Sequence, residues 1–299
     1  CIPGRHGYRW LGRGGCHPVG GKRAGAFCSG YLHADPGTAA GAGQIQGEKR
    51  AEILSAKSAL RTGVGLLRLL ILKSVYPIVA QVVPEAVFLP VDNSDKPSFG
   101  MKNIDTINEN VEKSKALLIG CGLSHNEDTE SLVQYLVKNC KIPMVLDADG
   151  LNCIANHIHL LKKKSCDIII TPHPGEMSRL TGLTVKEISA NPQKVAEDFS
   201  REYGVVTVLK GADTVISNGE ETYISYAGNP GMATGGSGDV LAGIISSLLA
   251  QGYSPINSAC CGVFIHGSAG DETKKVLGEA SMLPSDIVEN IYKVFKNIE

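Results

Sequence analysis

Apolar residues follow neither a period of 2 nor one of 3.6 across residues 1–47, which are rich in Gly, Arg, Cys and His and carry one acid, Asp35. No element is assigned to that stretch. Order is expected from about Glu48, where Ile53, Leu54, Ala56, Ala59 and Leu60 form a helical stripe and Gly63 suits a left-handed stop. Leu66 to Leu72 reads as a strand, and Pro84 to Leu89 as another after a short helix. From there strand and helix alternate. Ala116 to Ile119 is a buried-strand run closed by Gly120-Cys121-Gly122, followed by a helix over Thr129 to Val137. Pro143 to Leu146, Asp167 to Ile170 and Val205 to Leu209 are further strands. Near-continuous apolar strands between helices predict a mostly parallel sheet with helices on both faces. Asn218-Gly219 favours a type I′ hairpin beside it, and Ser254-Pro255 and Ser285-Asp286 open the last two helices.

Composition narrows the class without naming a function. The 299 residues are 43% hydrophobic with a net charge of -1, enough for one large α/β domain over 48–299 and no reason to expect a nucleic-acid surface. Residues 1–47 are set apart as an atypical or disordered segment. Cys1 is not an initiator Met, so the chain reads as a fragment or as a spurious start. Nine cysteines without a C-x-x-C pair, two of them adjacent at Cys260-Cys261 in an apolar helical run, read as buried thiols of a cytoplasmic protein. No apolar run approaches the roughly 18 residues of a membrane span.

The polar residues gather where strands end, and ligands of open α/β sheets sit there. Gly120 to Gly122, Asp147 with Asp149 and Asn152, His173 with Glu176, and Lys210 to Thr214 each follow a strand. The loop Gly235-Gly236-Ser237-Gly238-Asp239 runs into the apolar segment Ile244 to Leu249. Its glycines let successive N–H groups converge on an anion at a helix N-terminus. Asp239, in the first turn, suits a proton acceptor. Each group also has a plainer reading: Asp149, Asn152, Glu176 and Asp239 as helix-end residues, His173 as a structural histidine, Lys210 as a surface lysine.

Taken together, four stretches resemble the ADP/ATP-dependent NAD(P)H-hydrate dehydratases of the ribokinase-like superfamily: Leu146 to Asn152, Thr171 to Glu176, Val208 to Ala212 and Gly228 to Asp239. The resemblance runs from about residue 53 to the C-terminus. It implies a three-layer α/β/α fold and nucleotide-dependent repair of NADHX and NADPHX, the S epimers, to NADH and NADPH. By resemblance, Asp239 is the catalytic base and Gly236, Ser237 and Gly238 stabilise the transferring phosphoryl group. Lys210, Gly211, Ala212, Asp213, Thr214 and Gly238 would contact ADP or ATP. Ala51, Gly122, His173 and Asp239 would contact the hydrated dinucleotide, Glu176 would organise Mg2+ through water, and Asp149 and Asn152 would support the site. A homotetramer and a fused or separate NAD(P)H-hydrate epimerase are further implications. Two alternatives stay open: a ribokinase-like kinase of a small alcohol, and a non-catalytic nucleotide-binding protein. The departure from the family lies at Lys49-Arg50-Ala51-Glu52, where a small Gly-Ala pair is expected, and in the lack of a recognisable strand before it.

Overall fold

Seven short segments align in parallel in a sheet whose inner members are too hydrophobic to face water on either side. The computed structural model describes residues 25–29, 39–92 and 98–298. The strands are β1 (Gly25–Ser29), β2 (Leu66–Leu72), β3 (Val87–Val91), β4 (Ala116–Ile119), β5 (Met144–Leu146), β6 (Ile168–Ile170), β7 (Val206–Leu209), β8 (Thr214–Ser217) and β9 (Thr222–Ser225). They form one sheet in the order β3-β2-β1-β4-β5-β6-β7-β8-β9, parallel through β7 and antiparallel at the β7–β8 and β8–β9 pairs. Every residue of β4, β5, β6 and β7 is buried, which explains why their sequences do not alternate.

Helices cover both faces, giving the expected three layers. On one side α1 (Ala39–Arg61), α9 (Ser237–Ala250), α10 (Pro255–Leu277) and α11 (Pro284–Lys296) pack on one another, with α2 (Tyr76–Val82) against α1. A second run comprises α3 (Ile104–Glu112), α4 (Glu127–Asn139), α5 (Asp149–Ala155), α6 (Pro174–Thr181), α7 (Val185–Ala190) and α8 (Pro192–Tyr203), in which α4 to α6 pack in succession and α8 lies on β7 and β8. The α1–α9 contact is the closest: a Cβ on Gly243 would stand 2.1 Å from Ser58 Oγ and 2.2 Å from the Ser55 carbonyl oxygen.

Three expectations need correction. A strand, β1, lies inside the stretch left without an element, and α1 begins at Ala39, before the Glu48 start that the apolar stripe suggests. Residues 1–24 and 30–38 of that stretch lie outside the described residues. The hairpin is not type I′: β8 and β9 are joined by Asn218 to Glu221, and only Gly219 has positive φ, +91°. Asn218 Oδ1 instead accepts from the Glu220 and Glu221 amides at 2.9 and 2.7 Å, an Asx turn that replaces the tighter geometry. Among the cysteines, Cys121, Cys140 and Cys153 are buried, but Cys166, Cys260 and Cys261 are partly exposed. Among the described residues, no helix is long and apolar enough to cross a membrane.

Candidate active site

The sheet's hydrogen bonding continues one step beyond the strand ends and so brings distant loops together. Asp147 N donates to Ile119 O at 3.2 Å, Thr171 N to Leu146 O at 3.2 Å, and Lys210 N to Pro172 O at 2.8 Å. The loops after β4 and β5 press against each other, and Gly120 (φ +124°) is required there: a Cβ would stand 1.8 Å from the Asp147 carbonyl oxygen. Ala148, at φ +45°, holds a conformation that L-residues rarely adopt, between Asp147 and the first turn of α5.

At the centre lies Asp147, 1% exposed. Its Oδ1 accepts from Lys210 Nζ at 2.9 Å and Thr171 Oγ1 at 2.6 Å, and its Oδ2 lies 3.8 Å from the Cys121 thiol. A buried carboxylate needs such partners, since burying an uncompensated charge costs several kcal/mol. Burial opposes the Lys210 ammonium, yet the carboxylates of Asp147 and Glu176 outweigh it and push the lysine up to about 12. Glu176 Oε2 stands 3.7 Å from that ammonium and accepts from His173 N at 2.7 Å. His173 Nδ1 in turn accepts from the Gly175 and Glu176 amides, so these two residues close a capping box at the start of α6. Glu176 thus caps a helix, as its plainer reading has it, and also faces the lysine.

Asp239 is half-buried in the first turn of α9, downstream of Gly236 (φ +107°). Burial pushes its carboxyl up to about 7, and the nearby Asp147 carboxylate adds to this; a hydrogen bond from Cys121 and the charges of Lys210 and Arg50 pull the other way. The ligand atoms of Cys121, Asp147 and Asp239 lie within 4.8 Å of one another. Asp147 already carries the Lys210 ammonium, which disfavours an all-protein metal cage. A hard cation that keeps several of its waters would ask only one or two carboxylates of the protein, and Asp239 is the carboxylate of this set not bonded to a lysine.

The glycine loop meets two cations. A Cβ on Gly238 would stand 3.2 Å from Lys210 Nζ, and one on Gly235 3.1 Å from Arg50 Nη2. Lys210, Glu176, His173, Gly238 and Asp239 are therefore gathered as the sequence pattern expects. Gly211, Ala212 and Asp213 form the exposed turn leading to Thr214 at the start of β8, on the rim. Ala51 packs into the core at 8% exposure, and Gly122 is buried beside Cys121. Asp149 and Asn152 engage a neighbouring network: Asn152 donates to Asp149 Oδ1 at 3.2 Å and accepts from Arg179 Nε at 2.9 Å. Burial raises the Asp149 carboxyl. Cys121, Thr171 and Arg50 were not singled out for the site by their sequence. Thr171 and Cys121 sit within motifs that were recognised, while Arg50 occupies the departure from the family's Gly-Ala pair.

A family model described as NAD(P)H-hydrate dehydratase matches residues 40–293. The chain belongs to that family. A bifunctional NAD(P)H-hydrate repair enzyme of Moorella thermoacetica is 37% identical over 247 residues, covering 82% of this chain and 47% of its own length. An ADP-dependent (S)-NAD(P)H-hydrate dehydratase of Neisseria meningitidis is 39% identical over 172 residues, 56% of this chain and 58% of that one. The chain spans about half the length of the curated relatives it matches. Among solved structures, the ADP/ATP-dependent NAD(P)H-hydrate dehydratase from Bacillus subtilis, co-crystallised with ATP/Mg2+, superposes with a TM-score of 0.74 at 25% identity, covering 92% of this chain and 90% of its own. The ribokinase-like fold of this dehydratase family is thus carried by the chain.

Proposed function

We propose that this chain uses ADP or ATP to dehydrate NADHX and NADPHX, the S epimers, to NADH and NADPH. The observation that carries the reading is Asp239: a carboxylate with a value near neutral, at the mouth of a glycine loop, beside a fixed lysine. A general base is most effective when its value lies close to the working pH.

The hydroxyl on C6 of the hydrated ring is a poor leaving group. Asp239 accepts its proton while its oxygen bonds to the terminal phosphorus of the nucleotide and the bridging P–O bond breaks. The amides of Gly236 and Gly238 would face the transferring charge at the positive end of α9, where the Ser237 amide, expected to join them, instead donates to Thr234 O at 3.2 Å, and Lys210 holds its place through Asp147. The C6–O bond then breaks, the ring nitrogen lone pair assists, phosphate departs with the bonding electrons, and water takes the C5 proton, whose C–H electrons restore the double bond. Mg2+, bound with the nucleotide, would neutralise phosphate charge, with Glu176 behind it. His173 and Gly122 line the side proposed for the dinucleotide, and Gly211 to Thr214 the rim proposed for adenosine. A homotetramer and a companion epimerase belong to the same proposal; light scattering checks the first.

The test is recovery of dihydronicotinamide absorbance on mixing protein, Mg2+, ADP or ATP, and NADHX, against a control without nucleotide. Nucleotide-dependent recovery is expected. A stable phosphorylated product without recovered absorbance would replace the dehydratase by a kinase.

A further inference from the structure

The helix α10 holds both ends of the segment 228–237 that leads into the glycine loop. Asp271 accepts from Gly228 N at 3.1 Å and from Asn229 Nδ2 at 3.0 Å. Gly267 and Gly270 permit the approach: Cβ atoms there would stand 2.6 Å from the Ala227 carbonyl and 2.2 Å from Met232 Sδ. At the far end, His266 Nε2 lies 3.1 Å from Ser237 Oγ. His266 takes no part in the proton or charge steps described above, and its setting keeps it neutral. Burial first, then the Lys210 charge, hold the imidazole down to about 4 against the backbone of Ser237.

A neutral imidazole has one N–H and one lone pair, so the Ser237 hydroxyl either donates to Nε2 or accepts from it. In the first case the hydroxyl hydrogen is spent on the histidine. In the second it remains available for an anion at the start of α9, which Ser237 opens with its own amide donating to Thr234 O at 3.2 Å.

We propose that His266 is a positioning residue whose Nε2–H donates to Ser237 Oγ and turns the serine hydroxyl hydrogen toward the phosphoryl oxygens held by residues 235–238. The inference rests on the phosphoryl-transfer reading of this site. Ser237 then adds a neutral donor to the backbone amides, and His266 fixes its direction without bringing another positive charge beside Lys210.

Two measurements test this. Nitrogen-15 NMR of histidine-labelled protein at neutral pH needs no substrate and reads the tautomer; the resonance that moves in Ser237→Ala identifies His266. A proton on Nε2 is expected, and a proton on Nδ1 overturns the proposal. In steady-state assays, His266→Ala is expected to lower kcat about ten- to a hundredfold with little change in the KM for ADP. In the Ser237→Ala background the same change is expected to cost less than about twofold, and His266→Gln, which restores a donor, to recover most of the loss. A full His266→Ala loss in the Ser237→Ala background, or one that simply follows a fall in Tm, overturns it. If the unaltered protein recovers no dihydronicotinamide, the dehydratase reading fails, while the NMR result still decides which way the hydrogen bond runs.

Discussion

Replacing Asp239 by Asn is expected to make the protein more stable and nearly inactive, and the two effects have different pH dependences. Folding moves the carboxyl from 3.8 to about 7, mainly through burial and secondarily through Asp147. At about 1.4 kcal/mol per unit, a shift of roughly three units bounds the cost of the ionised form at about 4 kcal/mol. Water reaches part of Asp239, so about 2 kcal/mol is the expected figure. Because the folded value is raised, the advantage of the protonated carboxyl is complete below about pH 4 and is lost as pH rises through about 7. Asp239→Asn keeps a neutral group throughout. Its stability gain should therefore be near zero at about pH 4 and reach about 2 kcal/mol by about pH 8, read by guanidinium unfolding at several pH values. Over the same range kcat should fall about 10²- to 10⁴-fold. A gain that does not vary with pH, or a net loss of stability at pH 8, would refute the assignment of Asp239 as a desolvated base.

Three further outcomes follow from distances given above. Lys210→Met leaves Asp147 buried without its cation and should cost about 3–5 kcal/mol in denaturant unfolding; a loss under about 1 kcal/mol would mean the pair is not structural. Arg50→Ala removes a charge that lowers the Asp239 carboxyl, so the rising limb of kcat against pH should move to higher pH, and an unmoved or lowered midpoint would contradict the placement of Arg50. Gly243→Ala drives a methyl into Ser58 and the Ser55 carbonyl, and a destabilisation of about 1–3 kcal/mol or more should appear as a lower Tm without a selective change in KM.

Local chemistry made much of this molecule legible. The strand β2 was readable to its ends because it is a leucine-rich run, interrupted only by Arg68, between a glycine turn and a lysine, and β4 likewise because Gly120 stops it. The segment before Glu48 was not. The first turns of α1 carry Gly41, Gly43 and Gly47, which weaken helix propensity, and no apolar stripe marks them. In the site, the loop 235–239 declares itself by composition. The Lys210–Asp147 pair does not, since its members stand 63 residues apart and meet only through strand order. Arg50 and His266 are ordinary helical residues until packing decides which neighbours they face.

The position of β1 has a consequence for how the chain assembles. Among the described strands, every neighbour in the sheet is also the next strand in sequence except one pair, β1 and β4. Two blocks can thus form from sequential pairings, β1 with β2 and β3 in one and β4 through β9 in the other, and the pairing of Ala26 to Ser29 with Ala116 to Ile119 is the single seam between them. Parallel pairings across long separations form slowly. Closing that seam is then a late event, and until it closes two open strand edges stand ready to recruit other chains.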